Sequence, residues 1–147
     1  MNYIGIDIGS TCAKTVVLNE KKEFIQEFVQ PTGWSSVDTA EEILQKLKLA
    51  GINLSDDPSC CVATGYGRIS VPYADKAVTE ITCHAKGAHY LNPNVRTVID
   101  IGGQDIKAIS IDENGAVKNF LMNDKCAAGT GRFLEMMART LGLSLEE

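Results

Sequence analysis

The sequence predicts an α/β fold made of two copies of one structural unit, of which the second copy is incomplete. The first observation is an internal repeat. Positions 93 residues apart match without a gap, in the pairs Asp7/Asp100, Gly9/Gly102, Lys14/Lys107, Leu18/Ile111 and Glu20/Glu113. An ungapped repeat of this kind is typical of a duplicated unit. The second observation is that each copy reads as an apolar strand ending in Asp, a glycine turn and a second strand of alternating pattern. Helical segments after these strands complete the α/β pattern.

The first unit is predicted over residues 1–92, with the order βββαβα. Its elements are predicted as strands at 2–8, 13–19 and 23–30, a helix at 38–50, a strand at 59–64 and a helix at 78–91. The first helix is predicted because a capping box at Asp38 or Thr39 precedes an apolar stripe, and Gly51 follows it. The turn-forming segment Asn92-Pro93-Asn94 marks the boundary with the next unit.

The second unit is predicted over residues 93–147, with the order βββα. Its elements are predicted as strands at 95–101, 105–111 and 116–122, and a helix at 131–141 that Gly142 ends. The segment Glu113-Asn114-Gly115 is a predicted hairpin turn. Because this unit lacks the last strand and helices of the first, we expect the sequence to be the N-terminal portion of a longer protein.

Composition excludes several classes of protein. An apolar content of 44% and a charged content of 22% are typical of a soluble globular protein. A net charge of -5 without a basic stripe argues against nucleic acid as the main partner. No apolar run approaches the ~20 residues that span a bilayer, and no signal peptide precedes the first strand. We therefore expect a cytoplasmic protein with no membrane partner.

The five cysteines, at positions 12, 60, 61, 83 and 126, are an odd number without a C-x-x-C spacing. This pattern argues against a disulfide framework and against a self-contained zinc site. Cys60 and Cys61 lie in an apolar run and Cys83 on a predicted helix, so we interpret these three as core residues. Cys126 lies instead in a predicted loop, which is described below.

The two repeated turns are named here the first corner (residues 7–14) and the second corner (residues 100–107). Gly9, Gly102 and Gly103 let backbone N–H groups approach an anion closely, as they do in phosphate-binding loops. Two corners that face each other would bind the phosphates of one nucleotide from both sides. Two ordinary hairpins, each with Asp at its turn, remain the alternative interpretation.

Charged side chains extend this interpretation. Asp7 and Asp100 would repel phosphate directly, so we expect them to hold Mg²⁺, often through water, because Mg²⁺ gives up its water reluctantly. Lys14 is placed to reach phosphate oxygens as a point charge.

Cys126 precedes a loop of small residues, 127–131, that opens the last predicted helix. The N–H groups at a helix start carry about half a positive charge, which favours thiolate over thiol. Lys125 and Arg132 add positive charge nearby. On spacing alone, the residues favour a partly buried free thiol at a helix cap.

Three strings carry a resemblance to a known family: residues 63–68 (ATGYGR), 98–105 (VIDIGGQD) and 123–133 (NDKCAAGTGRF). They resemble the BadF/BadG/BcrA/BcrD ATPase family, which includes the activators (component A) of 2-hydroxyacyl-CoA dehydratases and ATPase subunits of benzoyl-CoA reductase. The duplicated Asp-x-Gly hairpins are similar to those of the actin, hexokinase and Hsp70 superfamily. The resemblance covers essentially the whole chain and implies duplicated ribonuclease-H-like, actin-like ATPase units.

The resemblance implies an ATPase that binds ATP or ADP with Mg²⁺ and transfers one electron to a 2-hydroxyacyl-CoA dehydratase (component D). It also implies a homodimer whose subunits share a bridging [4Fe–4S] cluster, and an electron donor such as ferredoxin or flavodoxin. By position, the residues of the two phosphate loops are Ser10, Thr11, Cys12, Ala13 and Lys14 beside Asp7, and Gly102, Gly103 and Gln104 beside Asp100. Cys126 matches a cluster-ligating cysteine. The family's second such cysteine and its adenosine loop lie in a segment that this sequence lacks.

The predicted catalytic residues are Gln104, Asp7 and Asp100. Gln104 would orient the attacking water, since an amide both donates and accepts. Hydrolysis would loosen one phosphate loop, let the lobes rotate and change the angle between the cluster-bearing helices. Glu80 is a weaker candidate for a base, because it is also placed to cap its own helix. His84 is interpreted as a packed or hydrogen-bonded residue.

Two alternatives remain open at this point. One is a small-molecule kinase of the same superfamily, similar to N-acetylglucosamine kinase, which would use the phosphate loops on a sugar and would not need Cys126. The other is a non-catalytic truncated lobe, whose open sheet edge would pair with another copy.

Overall fold

The computed structural model describes residues 1–54 and 58–146, which form two compact units, Met1–Glu80 and Ile81–Glu147. This division by contacts falls at the start of the helix Glu80–Leu91. The predicted assignment of residues 1–92 and 93–147 to two lobes follows the repeat instead, and it stays a prediction.

The first unit contains a five-stranded mixed sheet. Its elements are β1 (Asn2–Ile8), β2 (Cys12–Leu18), β3 (Phe24–Pro31), α1 (Ser36–Leu49), β4 (Ser59–Thr64) and β5 (Lys76–Ala77), in the sheet order β3-β2-β1-β4-β5. The first three strands form an antiparallel meander, whereas β4 pairs parallel to β1 and β5 parallel to β4. A parallel pair needs a crossover connection, and α1 supplies the one between β3 and β4.

Alternation in the strands and the stripe on α1 build the core of this unit. Ile4, Ile6 and Ile8 alternate along β1 and are at most 2% exposed. They pack with Ile43 and Leu47, which are one turn apart on α1 and equally buried. The apolar face of α1 therefore holds the central strand in place, and that strand carries the first corner at its end.

Helix α1 begins earlier than the capping box at Asp38 or Thr39 predicts. Ser35 is the N-cap, with an extended backbone, and its hydroxyl accepts a hydrogen bond from the Asp38 N–H at 3.2 Å. Serine is among the best N-cap residues, so this earlier position satisfies the helix start. The predicted end is confirmed, since Gly51 follows the last turn with φ of 79°.

Alkaline pH is expected to destabilise the first unit through Cys61, which is 1% exposed. Burial, followed by the nearby charges of Asp75 and Cys60, raises the pKa of its thiol from 9.0 to about 12. The unfolded chain therefore loses this proton first, so the contribution to stability is complete below pH 9.0 and is lost as pH rises through the folded value. We expect the free energy of unfolding to fall by about 1.4 kcal/mol per pH unit in this range.

Urea unfolding of wild type and Cys61→Ala between about pH 8 and pH 11 measures this effect. Tyr73 is present in both proteins, and burial, the largest cause of its raised pKa, acts in both; the smaller part that comes from the charge of Cys61 is lost in the variant together with the thiol. An equally steep decline in the variant would contradict the assignment to Cys61.

The second unit contains a three-stranded antiparallel sheet. Its elements are α2 (Glu80–Leu91), β6 (Thr97–Ile101), β7 (Ile106–Ile111), β8 (Val117–Asn123) and α3 (Gly131–Leu141), with the sheet order β6-β7-β8. Ile109 and Ile111 on β7 pack with Ala85 on α2 to form its small core. The predicted hairpin turn is confirmed at Gly115, which has φ of 70°, and Gly142 ends α3 with φ of 71°.

These elements confirm the predicted α/β class and the predicted order of the longer strands and helices, with boundaries shifted by one or two residues. In the described residues, none of the helices has the length and apolar character that crossing a bilayer requires.

Candidate functional site

The first corner joins β1 to β2 by a tight turn. The N–H of Gly9 donates to the Cys12 carbonyl at 3.2 Å, which closes the turn and leaves Ser10 and Thr11 exposed at its tip. Asp7 is the direct cross-strand partner of Lys14, and the Lys14 Nζ lies 3.3 Å from Asp7 Oδ2. The repeated Asp and Lys thus form an ion pair across the mouth of the turn.

Lys14 remains accessible within this pair. Its side chain is 50% exposed and that of Asp7 is 27% exposed. Partial burial by itself lowers the pKa of Lys14, but the charge of Asp7, then that of Cys12, and hydrogen bonds to both residues outweigh it, so the pKa is raised. Lys14 is therefore a cation whose ammonium group is held at the corner and open to solvent.

A glycine loop after β4 packs directly on this corner. The Gly67 N–H donates to the Ile8 carbonyl at 2.9 Å. Gly65 has φ of +83°, and a Cβ there would collide with Asp7 Oδ1 and with the Ile8 backbone. Thr64 is the parallel cross-strand partner of Asp7, and its Oγ1 is buried without a hydrogen bond in the described part of the chain. The loop therefore fixes the place of Asp7.

The glycine loop and Thr64 are absent from the predicted site residues. The string ATGYGR served only to support the family resemblance, although two glycines separated by one residue at a strand end indicate a close backbone approach. That pattern could have predicted that the glycine loop lies beside Asp7.

The second corner, between β6 and β7, has the same backbone pairing. The Gly102 N–H donates to the Asp105 carbonyl at 2.8 Å, and Asp100 is the cross-strand partner of Lys107. Gln104 is exposed in the turn. The side chains differ from those of the first corner, because Lys107 Nζ lies 3.2 Å from Asp100 Oδ2 and also 2.8 Å from Asp105 Oδ2.

Lys107 is almost fully enclosed, with a side chain that is 4% exposed. Burial alone lowers its pKa, but hydrogen bonds to Asp105 and Asp100 and the charges of both carboxylates outweigh burial and raise it. His84 on α2 adds a further contact, with its Nδ1 3.1 Å from Asp100 Oδ2. The predicted site residues include Asp100 and omit Asp105 and Lys107, even though the repeat aligns Lys107 with Lys14.

His84 was predicted to be packed or hydrogen-bonded, and in the structure it packs against the carboxylate of Asp100. Glu80, the weaker candidate for a base, is the first residue of α2 and is half-buried.

The loop before α3 is attached to the second corner through backbone groups. The Gly131 N–H donates to the Gly102 carbonyl at 3.0 Å, and the Arg132 N–H donates to the Gly103 carbonyl at 2.9 Å. Thr130 is fully buried at the helix start. Two of the N–H groups at the start of α3 were expected to favour the Cys126 thiolate. They donate instead to carbonyls of the second corner.

Cys126 itself is exposed in this loop, whereas the other four cysteines are half-buried or buried. Arg132, one of the two cations expected to act on it, lies 3.2 Å from Glu135 through Nη1 and Oε2, so part of its charge is paired. An exposed thiol is accessible to an iron–sulfur cluster, in which each iron is held by cysteine thiolates, and could supply one of them.

Asp7 and Asp100 fit Mg²⁺ held largely through water. Their side chains are 27% and 23% exposed, so each carboxylate is accessible as well as anchored by a lysine. Mg²⁺ keeps several waters and takes only one or two carboxylates when phosphates supply the rest. In residues 1–54 and 58–146, no group of three or more His, Cys, Asp or Glu side chains is arranged to hold a metal ion.

Comparison of the sequence with protein-family models identifies a family that matches almost the whole chain. The model of the BadF/BadG/BcrA/BcrD ATPase family matches residues 4–147. The activator of lactoyl-CoA dehydratase from Anaerotignum propionicum is 48% identical over 147 residues, which are 100% of this chain and 56% of that protein.

Two solved structures are similar in fold and in sequence. Component A of the (R)-2-hydroxyglutaryl-CoA dehydratase from Acidaminococcus fermentans matches with a TM-score of 0.87 and 45% identity, over 99% of this chain and 56% of that one. The activator of the 2-hydroxyisocaproyl-CoA dehydratase from Clostridium difficile, with bound ADPNP, matches with a TM-score of 0.87 and 41% identity, over 99% and 54%. This chain spans about half the length of the curated relatives it matches.

Proposed function

Because the chain belongs to the BadF/BadG/BcrA/BcrD ATPase family, we propose that the protein is an ATP-dependent activator of a 2-hydroxyacyl-CoA dehydratase. The observation that carries the proposal is the pair of corners, in which the same Asp–Lys cross-strand pairing closes two glycine turns. The names of the similar proteins support the dehydratase as the partner. The similarity to a chain solved with bound ADPNP supports a nucleotide as the ligand.

At the first corner we assign phosphate binding to the turn tip and to Lys14. The Gly9 N–H is already used within the turn, so the N–H groups that we assign to phosphate are those of the exposed tip, Ser10 and Thr11. Lys14 adds a positive point charge at the corner mouth. Asp7, beside it, would hold Mg²⁺ through water.

At the second corner we assign phosphate contacts to the backbone N–H groups of Gly103 and Gln104, and a second Mg²⁺-water contact to Asp100. Gln104 is exposed in the turn, and its amide is suited to orienting a water molecule because it donates and accepts at once. Asp7, Asp100 and Gln104 are thus the proposed catalytic residues.

We further propose the duplicated, actin-like architecture with an incomplete second unit. Its support is the equivalent register of the two hairpins, with Asp7 opposite Lys14 and Asp100 opposite Lys107. The described residues give the second unit three strands and the first unit five, and the chain covers about half of its relatives.

The electron-transfer part of the proposal depends on Cys126. We propose that it ligates a [4Fe–4S] cluster that bridges a homodimer, because the string NDKCAAGTGRF resembles the family's cluster motif and this thiol is exposed. The cluster, when bound, supplies a one-electron carrier. An electron donor such as ferredoxin or flavodoxin and a cytoplasmic location complete the proposal.

Single-turnover ATP hydrolysis by the full-length protein, purified without oxygen, tests this function. Gln104→Ala is expected to slow hydrolysis by about 100-fold, the usual loss when one positioned polar group is removed from a transition state, with ATP affinity unchanged. The matched control is Gln45→Ala, since Gln45 on α1 donates a hydrogen bond to Glu41 on its own helix.

Activation of a 2-hydroxyacyl-CoA dehydratase by the same preparation is the second measurement. Equal hydrolysis rates in Gln104→Ala and wild type would remove Gln104 from its role. Turnover that requires a sugar would favour the kinase alternative, and a stable dimer with negligible ATP affinity would favour the non-catalytic one.

A further inference from the structure

Lys14 and Lys107 occupy the same position of the repeat and have opposite surroundings. The Lys14 side chain is 50% exposed and contacts one carboxylate, that of Asp7. The Lys107 side chain is 4% exposed and contacts two carboxylates. The residue that makes the difference is Asp105, which stands where the first corner has Cys12.

Asp105 holds Lys107 inside the second corner. Its side chain is 6% exposed, and its Oδ2 is 2.8 Å from Lys107 Nζ, the shorter of the two ion-pair distances. A buried charge is stable only when it is paired. For Lys107 to turn towards a phosphate, it would have to leave a carboxylate that is itself buried. The burial of Lys107 therefore opposes a contact with phosphate, although the aligned residue, Lys14, is placed to make one.

The same enclosure fixes Asp100. Lys107 on β7 and His84 on α2 both approach Oδ2 of this carboxylate, at 3.2 Å and 3.1 Å. Oδ1 takes part in neither contact. A carboxylate that accepts a hydrogen bond from Lys107 at one oxygen, with the His84 ring packed beside it, has its orientation set before any ion arrives. This is what a site for a water-bound Mg²⁺ requires.

We propose that Lys107 is a positioning residue that orients Asp100 for Mg²⁺, whereas Lys14 contacts the nucleotide phosphates. The two lysines of the repeat thus have different roles. The inference rests on the proposed function, since it takes Mg²⁺-nucleotide as the ligand of these corners.

Calorimetric titration of the full-length protein with ADP, in Mg²⁺ and in EDTA, separates the two roles. Lys14→Met is expected to weaken ADP binding by about 10-fold or more in both conditions, because a phosphate contact is lost whether or not the metal is present. Lys107→Met is expected to weaken binding about 10-fold in Mg²⁺ and to leave binding in EDTA unchanged.

Removing Lys107 alone leaves Asp105 buried without its cation, so the fold itself is at risk. The double variant Asp105→Asn/Lys107→Met removes one charge of each sign and keeps the net charge of the corner. It is expected to show the same selective loss in Mg²⁺, with circular dichroism that matches wild type.

Equal weakening in Mg²⁺ and EDTA for the double variant would overturn the inference, because Lys107 would then be a phosphate ligand. Unchanged binding in both conditions would overturn it as well. If wild type bound ADP in neither condition while keeping its native circular dichroism, the proposed function itself would fail, and this result is distinct from the other two.

Discussion

Gly65→Ala is expected to destabilise the first unit by about 3 kcal/mol and to abolish tight nucleotide binding at the first corner. The residue has φ of +83°, a conformation that costs an L-residue energy, and the new Cβ would lie 2.5 Å from the Ile8 carbonyl oxygen. It would also meet Asp7 Oδ1. Neither group can move away freely. The Ile8 atoms belong to the backbone of the central strand β1, and the Asp7 side chain is paired with Lys14. The loop must therefore lift away from the corner.

Gly51→Ala is the matched control for this prediction. Gly51 has φ of +79°, nearly the same conformation, but its added Cβ would have nothing within 4 Å. It isolates the cost of backbone strain, about 1 kcal/mol, from the cost of the collision. Urea unfolding gives the difference in stability, and ADP titration gives the difference in affinity. Equal losses in the two variants would contradict the close packing of the loop on Asp7.

The prediction of the strands and hairpins succeeded because the pattern alone carried enough information. The alternation of Ile4, Ile6 and Ile8 has the period of a strand, and the buried face of β1 follows it. The strand β5 (Lys76–Ala77) was absent from the prediction, because two residues are too short to show any period. The start of α1 was placed late because Ser35, Asp38 and Thr39 are all good caps, and the sequence has no means of choosing among them.

The candidate site could be predicted in part only, because spacing locates residues without reporting their burial. The repeat predicted Asp100 and Lys107 as counterparts of Asp7 and Lys14, and in each hairpin the Asp lies opposite the Lys. It could not reveal that Asp105 encloses Lys107, since the counterpart of Asp105 is Cys12 and the two differ in charge. His84 lies far from Asp100 along the chain, so its contact with Oδ2 comes from tertiary packing alone.

The attachment of α3 to the second corner also required the structure. The sequence assigned the N–H groups at the helix start to Cys126, on the general principle that they carry positive charge. The Gly131 and Arg132 N–H groups instead donate to the carbonyls of Gly102 and Gly103. The loop that carries Cys126 is therefore attached, through the start of α3, to the corner proposed to contact phosphate. These two hydrogen bonds connect the corner to the start of α3, and the chain leads directly from there back to the loop.

If Cys126 ligates the proposed cluster, Cys126→Ser in the full-length protein is expected to remove the iron and sulfide from anaerobically purified protein, together with its visible absorption. Cysteine thiolates hold the iron of such clusters, and a serine hydroxyl is a weaker iron ligand than the thiolate proposed here. Cys126 is exposed, and its loop is held by backbone bonds from residues 131 and 132. The variant should therefore keep its fold and its ADP affinity while dehydratase activation falls to background.

Cys83→Ser is the control for this last prediction, since Cys83 is half-buried on α2 and matches no ligand motif. It should keep its iron, sulfide and colour, so that loss of the cluster is specific to one thiol and not to any cysteine. If Cys126→Ser retained a full complement of iron and sulfide, Cys126 would be an ordinary exposed thiol. If instead it lost both the cluster and ADP binding, the loop would be a structural support of the second corner, and the absence of iron would say nothing about ligation.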